Sequence, residues 1–218
     1  MKQYWWKLLG ALLVLYSIIA GLLGSVPALP IVNESIRTVY YHVPMWFAMF
    51  LMYLISVIYS IKYLSSGNMR HDFLAVESVN VGIIFCFFGL ISGMFWANVT
   101  WGDPWPPDPK LNGSAIATLM YLAYLVLRNA LSEEQKRGRI SAVYNIFAFP
   151  IMIVLMYILP KMTDSLHPGS GGNSGFGNFD LDGSMKAILY PAVLGWMLLG
   201  VWMVTLRYRY RKLAYRIS

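Results

Sequence analysis

The sequence predicts an all-α integral membrane protein, a single bundle of six transmembrane helices with both termini in the cytoplasm, and three observations carry that prediction. Of the 218 residues, 58% are hydrophobic and only 12% are charged, against about 25% charged in ordinary soluble domains. The apolar residues gather into six stretches, 5–26, 43–63, 76–96, 115–131, 141–159 and 185–206. Each is close to the ~20 residues that cross a hydrocarbon core. Most of the 17 basic residues sit at the N-terminus (Lys2, Lys7), after the second stretch (Lys62, Arg70), after the fourth (Arg128, Lys136, Arg137, Arg139) and at the C-terminus (Arg207, Arg209, Arg211, Lys212, Arg216). Lys and Arg mark cytoplasmic segments, so segments 27–42, 97–114 and 161–184 are expected to face outward.

The elements follow in order. Residues 1–7 are basic and aromatic, and no small-residue cleavage site precedes Pro27, so the first run reads as a retained span and not a removed signal. The second span opens with Tyr40-Tyr41-His42-Val43-Pro44; a proline suits the first turn of a helix, which sets His42 at the outer mouth. The third carries the single cysteine, Cys86, which can form neither an internal disulfide nor a cysteine metal cage and is expected to pack in the core. Between the third and fourth spans lies Trp101-Gly102-Asp103-Pro104-Trp105-Pro106-Pro107-Asp108-Pro109-Lys110-Leu111-Asn112-Gly113. Its prolines remove backbone donors and fix φ, so the stretch is expected to form a shaped loop within 97–114. The fourth span is the shortest. After the fifth, the outer segment 161–184 brings Ser165-Leu166-His167-Pro168 and then a Gly/Ser-rich run, 169–177, that lacks the Lys-Ser/Thr ending of a phosphate loop and reads as a flexible connector.

Several function classes are excluded. The net charge of +7 is explained by topology, so no nucleic-acid partner is expected. Glu34, Glu77, Asp164, Asp180 and Asp182 all fall at or beyond the edge of a predicted span, leaving no buried carboxylate chain of the kind that ion pumps use. Asn80, Ser92, Asn145 and Thr205 are polar residues inside spans with no role assigned by sequence.

What remains is concentrated on the outer side. Of the three histidines, His42 and His167 face out and His71 faces in. Trp101 and Trp105 form either part of an interfacial aromatic belt or a platform for a flat apolar ligand. Asp103 and Asp108 read as acceptors for loop N–H groups in preference to an acid/base pair. A flat apolar ring with a central iron and carboxylates on one edge, as in haem, requires a stacking surface, imidazoles on the iron axis and nearby cations. Trp101 and Trp105, His42 and His167, and Lys110, Arg37 or Lys161 offer these in turn.

Trp101-Gly102-Asp103-Pro104-Trp105-Pro106-Pro107-Asp108 resembles the tryptophan-rich WGxxWxWD signature of the haem-handling proteins of cytochrome c maturation. Tyr41-His42-Val43-Pro44 and Leu166-His167-Pro168 resemble the two histidine motifs of the CcmC family, the haem exporter proteins C, and the resemblance covers nearly the whole chain. It implies a non-enzymatic, multi-pass protein of the inner membrane that binds haem b as cargo on the periplasmic side. His42 and His167 would be axial iron ligands, with Trp101, Gly102, Trp105, Asp108 and Lys110 as the haem-binding loop. It further implies delivery to the periplasmic haem chaperone CcmE, beside the ATP-binding cassette transporter subunits CcmA and CcmB and the small membrane subunit CcmD. Two positions depart from the pattern: Pro107 stands where the family has a third tryptophan, and Lys110 where an arginine is more usual. Both leave a larger share of ring stacking to Trp101 and Trp105. The related CcsA-type proteins share the loop but are longer, with more spans and histidines. Alternative readings are a CcsA-like subunit acting directly with a cytochrome c synthetase, or a transporter subunit for another small ligand.

Overall fold

The computed structural model describes residues 4–27, 32–168 and 181–217, so the Gly/Ser-rich run 169–177 lies outside the described residues. Within them the chain is helical, and six helices are long and apolar enough to cross a membrane. In chain order they are α1 (Trp5–Leu23), α2 (Val39–Ser66), α3 (Met69–Trp101), α4 (Pro109–Asn129), α5 (Glu134–Ile153) and α7 (Gly183–Ile217), with a four-residue α6 (Leu159–Met162) extending α5.

Most helices outrun the apolar stretches that announced them, because hydropathy marks the bilayer core whereas backbone hydrogen bonding continues into the interface. A 3₁₀ turn, Asn33–Thr38, feeds straight into α2, so that Pro44, expected in the first turn, sits inside the helix and His42 lies within the first turn instead of before it. The join between α2 and α3 needs only Gly67 and Asn68. Gly67 adopts the left-handed conformation (φ 63°) and returns its N–H to the Tyr63 carbonyl, and the Asn68 side chain caps α3 by accepting from the Arg70 N–H. α3 runs through Trp101 and stops at Gly102 (φ 77°), where a side chain would be strained. α4 starts at Pro109, whose missing N–H costs nothing in a first turn, with Asp108 as N-cap.

α5 passes through a π-helical turn, Val154–Ile158, before α6. There the Leu159 N–H bonds the Val154 carbonyl, and the partner that this register requires for the Leu155 carbonyl is the N–H of Pro160, which does not exist. The open carbonyl faces α4 at Gly113, where a Cβ would come within 2.3 Å of the Leu155 oxygen. That contact fixes the start of α4 against the end of α5, and so sets the Asp108 loop beside the segment leading to His167.

α2 and α3 form the central hairpin, with α5 and α7 packed on it and α1 lying outside against α7. The core includes Met49, Met52, Val79, Cys86 and Met152 and a parallel stack of Tyr53 on Tyr121, ring centroids 3.6 Å apart. Cys86 is buried, its thiol 3.0 Å from the Thr118 hydroxyl. Three ion pairs, on two buried carboxylates, lock the end opposite His42. Arg128 of α4 holds Asp72 of α3 through both guanidinium nitrogens, at 2.8 and 2.5 Å. Arg207 and Arg211 of α7 both pair with Glu77, which Asn80 also contacts. Glu77 was expected at a span edge; it is buried more than two turns into α3, and these partners make its burial tolerable. Asn145, unassigned by sequence, donates to Ser56 and Ser60 of α2.

Candidate functional site

Four helix ends meet at one end of the bundle: the first turn of α2, the last turns of α3, the start of α4 and the segment after α6. The loop between α3 and α4 is narrower than the expected 97–114, because 97–101 and 109–114 are helical and only 102–108 turn. Trp101 is therefore the last residue of α3. The turn is shaped by its aspartates: Asp103 Oδ1 accepts from the Trp105 N–H (2.8 Å), and the Asp108 N–H donates to the Pro106 carbonyl (2.8 Å). The Trp105 indole N–H donates to Asn112 Oδ1 (3.2 Å), which pins that ring to the first turn of α4.

Asp108 is the hub. Its Oδ1 accepts from the N–H groups of Lys110 (2.9 Å) and Leu111 (3.1 Å) and from His167 Nδ1 (3.0 Å); its Oδ2 accepts from the Ser165 hydroxyl (2.8 Å) and the Leu166 N–H (2.7 Å). The side chain is wholly buried. Burial alone would raise its pKa, but the His167 and Ser165 side chains and the Leu166 N–H hold the carboxyl well below the usual carboxylate range. An ionised Asp108 accepts and never donates, so His167 Nδ1 carries the proton and, in the neutral ring, Nε2 keeps a free lone pair. The imidazole is 19% exposed and lies edge-on to Trp101, centroids 5.0 Å apart. A carboxylate that fixes ring and tautomer in this way is the arrangement that supports metal-binding histidines.

His42 is held differently. Its Nδ1 is 3.1 Å from Ser92 Oγ, and its Nε2 accepts the Trp46 indole N–H at 3.1 Å. Trp46 and Trp96 both stand edge-on to the imidazole, with centroids at 6.0 and 5.9 Å. Gly89 and Gly93 of α3 form the floor: a Cβ at 89 would reach Trp46 within 2.9 Å, and one at 93 would reach His42 within 2.7 Å. His42 lies within electrostatic reach of both His167 and Lys110, so the two histidines, Trp101, Asp108 and Lys110 share one end of the molecule. Trp96 Nε1 and Thr100 Oγ1, one turn apart on α3, are buried donors without a partner among the described residues.

The structure draws Arg37 away from the site: its guanidinium bonds Glu34 and the carbonyls of Gly21 and Gly24, satisfying the end of α1. Ser92, Trp46 and Trp96 were not singled out by sequence as parts of the site. Their one legible signal is the spacing of Gly89, Ser92 and Gly93, which gives one helix a smooth strip with a single hydroxyl.

A family model described as Heme exporter protein C matches residues 1–218. The chain is 23% identical over 157 residues to the Heme exporter protein C of Rhodobacter capsulatus, covering 71% of this chain and 65% of that one. It is 37% identical over 93 residues to the cytochrome c biogenesis protein CcsA of Prochlorococcus marinus, covering 43% of this chain and 28% of the relative. A CcsA from a Synechococcus species is 36% identical over 93 residues, with 43% and 29% covered. The chain thus aligns with less than a third of the length of these CcsA relatives.

Proposed function

The chain belongs to the Heme exporter protein C family, and from that premise we propose that it holds haem b at the periplasmic face of the inner membrane and passes it to the haem chaperone CcmE. In this reading CcmA, CcmB and CcmD are its membrane partners, haem is cargo, and the protein makes and breaks no covalent bond of its own. The observation that carries the reading is the Asp108–His167 pair at 3.0 Å, which leaves the other imidazole nitrogen without a partner among the described residues at the mouth of the bundle. His42, within electrostatic reach, supplies the second imidazole. The donor set fits the ligand: Lys110 offers a cation, and the Trp96 and Thr100 donors, without a partner among the described residues, stand on the end of α3 with Trp96 beside His42 and are open to a carboxylate acceptor. Trp101 packs edge-on against the His167 ring, while Trp105, fixed through Asn112, offers the remaining aromatic face two residues before Pro107.

The membrane side follows from charge. The site occupies the end of the bundle opposite the basic α7 terminus, the α2–α3 turn and the α4–α5 connection, which supports a periplasmic site and cytoplasmic termini. The similarity to CcsA supports a shared haem-handling segment, but the small fraction of those longer proteins that aligns favours the family of the full-length match.

The test is one visible spectrum. Protein purified from haem-replete cells should show a six-coordinate haem band that disappears when His42 and His167 are both replaced by alanine, with membrane insertion unchanged. Full haem occupancy in that double variant would refute the ligand assignment.

A further inference from the structure

The two histidines differ in one respect that bears on how iron is taken. His167 presents a nitrogen with no partner among the described residues, because its bond to Asp108 uses only Nδ1. His42 presents none. Ser92 Oγ already donates to the Phe88 carbonyl (2.7 Å), so it accepts the proton on His42 Nδ1. The tautomer left is the one suited to metal binding, yet its Nε2 lone pair is filled by the Trp46 indole N–H. Nothing in the packing of His42 requires that bond: Gly93 seats the imidazole, Trp96 flanks it, and Ser92 fixes its tautomer. Trp46 itself is only half-buried, one turn along the same helix, and packs on the bare backbone of Gly89 at the edge of the core.

We infer that Trp46 is a removable cap on His42, so that an incoming haem iron is taken first by His167 and by His42 only once the indole releases Nε2. The inference rests on the proposed reading that both histidines ligate iron. It assigns Trp46 a positioning role: the indole sets the order and the strength of the second ligation without touching the metal. Release runs the same way in reverse, since the indole recaptures His42 and leaves iron with one protein ligand at the moment a partner must compete for it. A neutral hydrogen bond of this kind competes by about two- to tenfold in equilibrium constant.

The test is ferric haem titrated into haem-free, detergent-purified protein, comparing the parent with W46F, which keeps an aromatic ring and loses the donor. The six-coordinate spectrum should form about two- to tenfold more tightly in W46F, with the initial binding step unchanged. W46L, which also lacks the donor, should move in the same direction, so a packing defect in one variant does not decide the outcome. In the haem-free parent, the ¹⁵N resonance of His42 Nε2 should report a hydrogen bond that W46F lacks. Equal or weaker six-coordination in both variants overturns the cap. H42A separates the two levels. If H42A still gives the six-coordinate spectrum, the ligand reading itself fails; if H42A loses it while W46F behaves as the parent does, only the cap fails.

Discussion

At the scale of single residues, Asp108 does three jobs with one carboxylate: it caps α4, anchors Ser165 and Leu166, and orients His167. Asp108→Asn keeps the shape but offers only one acceptor oxygen and places an NH₂ against a donor. Haem retention, measured by equilibrium titration, should weaken by about ten- to a hundredfold, as for other partners of metal-binding histidines. The carboxyl is also a stability element with a definite pH sense. Its folded pKa is depressed, so its contribution is fully present above the ordinary carboxylate pKa of about 4 and is lost as pH falls through the lower folded value. Thermal melts of the haem-free protein should therefore show no loss from this group between pH 7 and pH 5 and a decline below about pH 4 that Asp108→Asn reduces. His42 and His167 were legible in the sequence because charge sorting put both on one side. The Ser92 bond to His42 was not, since nothing in a one-dimensional pattern says which residue of α3 will face α2; Trp46 stands at helical i,i+4 spacing from His42 on α2, but that spacing alone does not aim its indole N–H at the imidazole.

At the scale of elements, the two loops of the site are positioned by helix register. The π-turn before Pro160 leaves the Leu155 carbonyl open, and α4 accepts it only because position 113 has no side chain. Gly113→Ala would drive a Cβ into a backbone oxygen, which cannot swing aside as a side chain can. A loss of about 1–3 kcal/mol is expected, read as a lower melting temperature together with weaker haem retention, because Asp108 and His167 would separate. The polar loop itself was legible, since its prolines exclude helix at 102–108. Its borders were not: Trp101 belongs to α3 because Gly102 ends that helix with a positive φ, and Pro109 begins a helix where a proline elsewhere would break one.

For the whole molecule, buried ion pairs fasten the end remote from the site. Arg128 and Asp72 are both almost fully enclosed, so Arg128→Met strands a buried carboxylate and should cost about 3–5 kcal/mol, whereas pairing it with Asp72→Leu should recover most of that. Denaturation of the two variants in detergent is the check. Orientation is tested separately: a reporter active only in the periplasm should report activity when inserted at Asp103 and none when fused after Arg216. The opposite pattern would turn the site toward the cytoplasm and end the proposal of delivery to a periplasmic chaperone.

The sequence by itself determined six helices long and apolar enough to cross a membrane, that His42 and His167 fall at one end and His71 at the other, and that 102–108 interrupts the helices, because hydropathy, charge and proline are local quantities that survive without coordinates. The order of the helices in the bundle, the burial of Glu77, the diversion of Arg37 to the end of α1, and the contrast between an open His167 and a capped His42 were decided only by tertiary structure. All but the Trp46 bond, which joins residues four apart on α2, depend on which faces of distant helices meet. A hydrogen bond about 3 Å long between residues 59 positions apart, as between Asp108 and His167, has no counterpart in any periodicity of the chain.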